Sequence, residues 1–268
     1  EMRLIKDGHE IALMRRAGDI SAAAHRRAML TARPGATEYE VEAVLQHEFR
    51  HQGAQAPAYT SIVAGGANAC VLHYVENNAT LEDGDLLLID AGCELDGYAS
   101  DITRTFPVNG HFSGAQRDVY ELVLAAQAAA IATVKPGAYW NTPHDAAVAV
   151  LAQGFIDLKL LNGTLDAVLE QESYKQFYMH RTGHWLGLDV HDAGEYKTSG
   201  EWRELQPGMV LTVEPGCYIR PAPGVPEAFA NIGIRIEDDA LVTGDGCEIL
   251  SAAAPKSVAD IEALMRER

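Results

Sequence analysis

Four carboxylates and one histidine in the middle of the chain are of the residue types that bind divalent metal ions. They are Asp90, Asp101, His184, Glu214 and Glu237. Two carboxylates about 4 Å apart repel by roughly 4 kcal/mol at an effective dielectric near 20, so four in one place require cations. Oxygen-rich ligation with one imidazole suits two Mn²⁺ ions, with Co²⁺, Fe²⁺ or Zn²⁺ as alternatives. Such a pair of ions can share a hydroxide that attacks a carbonyl carbon.

The apolar and β-branched runs beside these carboxylates predict the strands that position them. Each run ends or begins at one carboxylate, and the runs cover residues 86–89, 102–106, 210–213 and 232–236. A further strand is predicted at 71–75 from the same residue preferences. Carboxylates at the ends of neighbouring strands point to one shared site.

Helical spacing of apolar residues and capping signals predict five helices. They begin near Glu10, Thr37, Ser113, Thr142 and Val258. Thr37 with Glu40, and Ser113 with Gln116, have the spacing of a capping box, in which each side chain caps the other residue's backbone N–H. The helices therefore come in two pairs before the strands, with one more at the carboxyl end.

The order of these elements repeats along the chain, and the sequence repeats with it. Residues 31–36 resemble 133–138, and each segment lies between two predicted helices. Residues 81–93 align without gaps on 205–217, which places Asp90 on Glu214. Two matches in the same order predict an internal duplication, with the two halves facing each other across a cleft.

Composition and charge bound the class of protein. A chain of 268 residues with 47% apolar content can bury one large core, so we expect a single domain over 1–268. The net charge of −17 argues against a nucleic acid or an anionic membrane as partner. The chain has no apolar run of about 18 residues and no signal-peptide pattern, which predicts a cytoplasmic protein. The four cysteines lack CxxC spacing and are interpreted as buried thiols.

Four segments around the candidate ligands resemble the proline-specific metallopeptidases. They read IDAGCELDGYASDITRTFPVNG at 89–110, HRTGHWLGLDVHD at 180–192, LTVEPGCYI at 211–219 and GIRIEDD at 233–239. Within that group the chain is most similar to the catalytic domain of the aminopeptidase P family, the Xaa-Pro aminopeptidases. The resemblance implies an α+β pita-bread fold, in which two duplicated halves pack their helices on a curved, mainly antiparallel sheet.

The same resemblance implies a role for each candidate ligand. Asp90 would bind one metal ion, Asp101 and Glu237 would bridge both ions, and His184 and Glu214 would bind the other. Glu214 would also be the general base for the bridging water.

Further site residues follow from the resemblance. His73 and His191 would bind substrate and stabilise the transition state, and His180 would border the proline pocket. Arg235, two residues before Glu237, would orient Glu237 or bind substrate, and Tyr218 is a further substrate-binding candidate. We expect the remaining histidines to be ordinary core or surface residues.

The implied function is hydrolysis of the amino-terminal Xaa-Pro bond by a hydroxide that bridges two divalent ions. Its substrates would be peptides with proline in the second position. Prolidase, which uses the same metals on dipeptides, is the alternative enzyme, and a non-enzymatic binding module on this fold is the alternative from another class. The family's usual amino-terminal domain does not precede this chain, which is then either a short form or a fragment. We expect a homo-oligomer, most simply a two-fold dimer.

Overall fold

The computed structural model describes residues 1–268. The helices are α1 (Gly8–Thr31), α2 (Glu38–His51), α3 (Gly114–Ile131), α4 (Thr142–Asp157), α5 (Leu165–Glu170) and α6 (Val258–Met265). The strands are β1 (Ala56–Pro57), β2 (Ile62–Gly65), β3 (Leu86–Asp90), β4 (Cys93–Leu95), β5 (Tyr98–Ala99), β6 (Thr103–Pro107), β7 (Lys197–Thr198), β8 (Glu201–Trp202), β9 (Val210–Val213), β10 (Gly216–Ile219), β11 (Ile232–Arg235), β12 (Asp238–Val242) and β13 (Cys247–Ile249).

All five predicted helices are present, and their capping signals act as expected. Both predicted capping boxes form, one between Thr37 and Glu40 and one between Ser113 and Gln116. The short helix α5 was not predicted, because its six residues are too few for helical periodicity to emerge. It is nevertheless capped, since the side chain of Thr164 accepts a hydrogen bond from the N–H of Ala167.

Every strand pair is antiparallel, as predicted, but the strands are divided among small sheets. The order is β2-β3-β6 in the first half and β13-β12-β9 in the second, with β10-β11 beside them. The divisions fall at the candidate ligands. Glu214 and Pro215 separate β9 from β10, and Ile236 and Glu237 separate β11 from β12. Carboxylates at these breaks can turn away from the strand pairing and towards one another.

The predicted strand at 71–75 is wrong. Residues Gly66–Cys70 form a 3₁₀ helix, and the following residues run as a loop to about residue 79. Val71 and Val75 are 45% and 49% exposed, so no neighbouring strand or core covers their β-branched side chains. A residue preference for strands has no effect where no partner strand is in reach.

The internal duplication is visible in matched backbone contacts. The N–H of Gly35 donates to the carbonyl of Leu81 at 2.8 Å, and the N–H of Gly137 donates to that of Leu205 at 3.0 Å. Both glycines have a positive φ, 84° and 82°, which a residue with a side chain adopts only under strain. The repeated Pro-Gly segments therefore make the same turn against the same residue of each half.

The two halves meet at a local two-fold axis. Arg104 pairs with Ile89 across β3 and β6, and Asp238 pairs with Val213 across β9 and β12. Because Ile89 aligns on Val213, Arg104 and Asp238 occupy equivalent positions. Their side chains form a buried ion pair, with Arg104 Nη2 2.7 Å from Asp238 Oδ1. Equivalent positions contact each other where a two-fold axis passes, so the axis runs between β6 and β12.

The apolar core extends across both halves. One cluster of buried side chains runs from Leu4 before α1 to Met265 at the end of α6 and includes residues of β3, β6, β9 and β12. Each helix is either too short or too polar to cross a membrane. Since the core is shared, the paired strands hold both halves of the site in a fixed relation.

Candidate active site

All five candidate ligands line one cleft of about 810 Å³. Asp90 is the last residue of β3, and Glu214 directly follows β9. Asp101 precedes β6, and Glu237 lies between β11 and β12. His184 runs alongside β9, where its carbonyl accepts a hydrogen bond from the N–H of Thr212 at 3.0 Å. The ends of strands from both halves thus converge on one cleft.

Within the cleft the candidate ligands are close enough to share ions. One ligand atom from each of Asp101, His184 and Glu237 lies within 4.8 Å of the others. The Nε2 atom of His184 lies 3.3 Å from Asp101 Oδ2 and 3.6 Å from Glu214 Oε1. Carboxylate and imidazole atoms at these separations match the donor set of a divalent metal site.

The electrostatics of the cleft call for cations. Burial, reinforced by the charges of neighbouring carboxylates, raises the pKa of Asp101 and holds that of Glu237 well above its ordinary value. Burial, with added repulsion from Asp101 and Asp90, raises the pKa of Glu214 to about 7. Carboxyl groups so crowded resist ionisation until positive charge is supplied. The residues present therefore fit a divalent metal site.

His184 is oriented for ligation by its backbone neighbour. Its Nδ1 lies 3.0 Å from the carbonyl of Trp185, which can only accept, so Nδ1 carries the hydrogen and Nε2 faces the carboxylates. Burial lowers the pKa of His184, but the hydrogen bond to Asp101 and the charge of Glu214 outweigh it and raise that pKa to about 9. An ion bound at Nε2 would have to displace this proton.

We expect Mn²⁺ to stabilise the chain more at pH 8 than at pH 6. Asp101, Glu214 and Glu237 have raised pKa values in the folded chain. Their contribution to the free energy of unfolding is therefore fully present at pH values below their unfolded pKa values. It is lost as the pH rises, through about 7 for Glu214. Bound cations remove this penalty. One displaced proton corresponds to roughly 1.4 kcal/mol per pH unit, or a few degrees in Tm.

The measurement is the shift in Tm at a fixed free Mn²⁺ concentration across this pH range. The Asp118→Asn variant is the matched control, since it removes an exposed carboxyl group of α3 outside the cleft and should leave the shift in Tm unchanged. An equal shift in Tm at both pH values would contradict the linkage between ion binding and proton release.

Tyr59 contacts the candidate ligands and was missed by the sequence reasoning. Its hydroxyl lies 2.7 Å from Asp90 Oδ1 and 2.6 Å from Asp101 Oδ1. Burial and the charges of both aspartates raise its pKa well above the ordinary value, so it remains a phenol that donates to one carboxylate at a time. No motif marks Tyr59, because only the folded chain brings it between these two residues.

Two threonines orient the ligands of the second half. The hydroxyl of Thr103 donates to Glu237 Oε2 at 2.6 Å. The Thr212 hydroxyl donates to Glu214 Oε1 at 3.3 Å and accepts from the N–H of His184 at 3.1 Å. Partners of this kind fix the orientation of metal ligands and tune their basicity.

Arg235 contacts Asp90 directly, whereas the sequence prediction had placed it against Glu237 or substrate. Its Nη2 donates to Asp90 Oδ2 at 2.6 Å, and its Nε donates to Thr103 Oγ1 at 3.1 Å. It reaches Glu237 only through Thr103. The expected direct contact fails because β11 ends at Arg235, so the alternation of side chains along the strand stops before Glu237. Arg235 also lines the cleft, where substrate contact stays a prediction.

His180 and Tyr218 continue this network along the cleft wall. Arg235 Nη1 donates to the Tyr218 hydroxyl at 3.0 Å, and that hydroxyl lies 2.8 Å from His180 Nε2. The Nδ1 of His180 donates to the carbonyl of Arg181 at 2.8 Å. Burial, with repulsion from Arg235, lowers the pKa of His180 to about 3. A neutral His180 therefore presents its ring, with both nitrogens occupied, to the cleft.

His73 and His191 line the same cleft on exposed loops. The ring of His191 meets that of His184 edge to face at 4.3 Å between centroids. The loop of His191 is anchored by the next residue, Asp192. The buried carboxylate of Asp192 forms an ion pair with the buried Nζ of Lys6 at 3.2 Å. His191 is thus held beside the candidate ligands by the segment before α1.

An aromatic wall completes the cleft and was also not predicted. It includes Trp140, Tyr196 and Trp202, with Arg181 beside them. The rings of Trp140 and Tyr196 lie 4.5 Å apart. Trp140 lies in a turn before α4, Tyr196 in the loop before β7 and Trp202 at the end of β8, so they share no periodicity and no sequence signal links them. Trp185 is fully buried behind this wall, with its ring centre 4.1 Å from that of Trp140.

Comparison with solved structures gives the fold an independent test. The chain superposes on aminopeptidase PepP of Pseudomonas aeruginosa with a TM-score of 0.99 and 57% identity, covering 100% of this chain and 61% of that one. It superposes on proline aminopeptidase P II from Yersinia pestis with a TM-score of 0.98 and 51% identity, covering 100% of this chain and 62% of that one. The predicted α+β pita-bread fold is confirmed.

Sequence comparison points the same way. The Xaa-Pro aminopeptidase of Haemophilus influenzae is 56% identical, over 99% of this chain and 61% of its own length. That of Escherichia coli is 50% identical, over 99% of this chain and 60% of its own. The chain thus spans about 60% of the length of these relatives. Residues 12–244 match the model of metallopeptidase family M24, and the chain belongs to that family.

Proposed function

We propose that this chain hydrolyses the amino-terminal peptide bond of peptides that carry proline in the second position. The observation that carries the proposal is the convergence of five candidate metal ligands and three histidines on one cleft. The relatives that match at 50–56% identity are Xaa-Pro aminopeptidases, which supports the choice of substrate.

Two divalent ions, with Mn²⁺ the best match to the donor set, would be held by the five candidate ligands. They are Asp90, Asp101, His184, Glu214 and Glu237. When bound, the ions would polarise the substrate carbonyl and lower the pKa of the attacking water. Tyr59, Thr103 and Arg235 would keep the carboxylates in place through the hydrogen bonds described above.

The remaining steps belong to side chains of the cleft. Glu214 would accept a proton from the attacking water and pass it to the proline nitrogen as the peptide bond breaks. His191 and His73, exposed on the cleft, would donate hydrogen bonds to the carbonyl oxygen as negative charge develops on it. His180 has both ring nitrogens occupied, so it offers a flat, nonpolar face against which a proline ring can pack.

Preference for proline is the direct test. Proline forms a tertiary amide with no N–H and a fixed ring, so a wall shaped to that ring discriminates against other residues. With Mn²⁺ present, we expect kcat/KM for a Xaa-Pro-Xaa tripeptide to exceed that for its Xaa-Ala-Xaa match at least tenfold, which corresponds to about 1.4 kcal/mol. The measurement is initial-rate kinetics on the matched pair.

Two variants separate recognition from rate enhancement. His180→Ala should narrow the difference between the two peptides, whereas His191→Ala should lower turnover of both by a similar factor. Equal cleavage of both peptides by the unmodified chain would refute proline specificity. Cleavage of Xaa-Pro dipeptides alone would favour a dipeptidase instead.

A further inference from the structure

A tight hairpin of two short strands forms part of the cleft rim. β7 and β8 are joined by a two-residue turn, Ser199 and Gly200, whose φ angles are 54° and 90°. Positive φ at both positions is typical of the type I′ turn, which suits the twist of a hairpin. The register places Lys197 directly opposite Trp202, so their side chains lie next to each other on one face.

Two cationic side chains, Lys197 and Arg181, lie against the Trp202 ring at this rim. The Nζ of Lys197 lies 4.3 Å from the centre of the Trp202 ring, and the Cζ of Arg181 lies 5.1 Å from it. Both Trp202 and Arg181 line the cleft that contains the candidate metal ligands. The indole therefore holds a guanidinium at the cleft wall through cation–π attraction.

Neither cation has an acidic partner within the chain. Acidic residues outnumber basic ones by 38 to 21, and Arg3, Arg15 and Arg104 all pair with carboxylates. The side chain of Arg181 makes no hydrogen bond or ion pair, although its own carbonyl accepts from His180. Its guanidinium donors are therefore free for an anion that enters the cleft.

We propose that Arg181, supported by Trp202 and Lys197, binds a carboxylate of the peptide substrate on the leaving-group side of the cleaved bond. This rests on the proposed function, which places proline against His180, the residue before Arg181. A guanidinium offers planar, paired donors that match a carboxylate. Two cations suit only this end of a peptide, because its free amino group is positive and would be repelled by them.

The direct test measures binding of leaving-group fragments to the Mn²⁺-loaded chain by calorimetry. Prolyl-alanine with a free carboxylate is compared with prolyl-alanine amide. We expect the free acid to bind roughly threefold to tenfold more tightly, with the difference shrinking as salt is added. Arg181→Met, which keeps the apolar stem over Trp202, should bring the ratio of the two dissociation constants close to one.

The matched control is Arg26→Met, which removes the same charge from an exposed arginine of α1 outside the cleft. It should preserve the ratio of the unmodified chain. An equal affinity for acid and amide in the unmodified chain, or an unchanged ratio in Arg181→Met, would overturn the proposal. Because binding is measured without turnover, this outcome is separate from a failure of the proposed hydrolysis, which would appear as uncleaved Xaa-Pro peptides.

The source of the carboxylate is resolved by a second pair of fragments. Prolyl-alanyl-aspartyl amide carries only a side-chain carboxylate, and prolyl-alanyl-asparaginyl amide carries none. A preference for the aspartyl peptide that is lost in Arg181→Met would assign the site to acidic side chains as well as to the chain end. No preference in this pair, with preference in the first, would assign it to the terminal carboxylate alone.

Discussion

Chelation of divalent ions should abolish hydrolysis of Xaa-Pro peptides by this chain, and Mn²⁺ should restore it better than Zn²⁺. Burial and crowding raise the pKa values of the carboxyl groups in the cleft. Without cations these groups therefore tend to stay protonated, and a protonated Glu214 cannot act as a general base. The oxygen-rich donor set has one imidazole and no thiolate, which suits Mn²⁺. The measurement is the initial rate after dialysis against chelator and after stepwise addition of each metal.

The ligand variants sharpen this test. Asp101→Ala or Glu237→Ala should lower turnover on the order of 10³-fold or more, because each removes a predicted bridge and leaves positive charge uncompensated. Metal content should fall in parallel. Asp118→Ala is the control, since it removes an exposed carboxylate of α3. Full activity in exhaustively chelated protein would refute the two-ion mechanism, and near-normal turnover of either variant would refute its bridging role.

Arg104→Met should destabilise the fold by about 3–5 kcal/mol. Arg104 and Asp238 are both fully buried, and their ion pair of 2.7 Å joins the two halves. Arg104 also donates to the carbonyls of Pro255 and Ala254, at 3.1 and 3.0 Å. Methionine has a similar length but no donor, so Asp238 loses one of its two cationic partners and keeps only Lys256 at 2.6 Å, while the buried carbonyls lose their donor. The measurement is the free energy of unfolding in urea.

Two further variants make the cause identifiable. Asp238→Asn keeps the shape and part of the hydrogen bonding, so we expect it to cost less than Arg104→Met. Arg15→Met breaks an ion pair whose side chains are 47% and 39% exposed, and it should cost at most about 1 kcal/mol. Equal losses for Arg104→Met and Arg15→Met would show that burial of the ion pair between the halves is not the cause.

The candidate ligands could be identified from sequence because they adjoin regular elements. Asp90 and Glu214 follow apolar runs that do form β3 and β9, and the gap-free alignment of the two runs is matched by the fold. Helix starts were also predictable, since Thr37 and Ser113 cap their helices through contacts within four residues. Local signals such as these require no knowledge of the distant chain.

The supporting residues could not be predicted, because their contacts join distant segments. Tyr59 reaches Asp101 across 42 positions, and Trp202 meets Arg181 only after the loops between them have folded. The direct contact of Arg235 with Asp90 spans 145 positions and depends on where β11 ends. The preference of β-branched residues for strands also gave a wrong prediction at 71–75. Val71 and Val75 are exposed there, because no partner strand lies beside them.

The Arg104–Asp238 pair makes the two halves non-interchangeable. A homodimer built from either half alone would place arginine against arginine, or aspartate against aspartate, at the buried axis, and neither arrangement balances its charge. The candidate ligands diverge in the same way, since the two registers make Asp101 of the first half equivalent to Arg235 of the second. Linking both halves in one polypeptide permits a complementary pair at a symmetric position. A designer who splits this chain must therefore supply two different fragments.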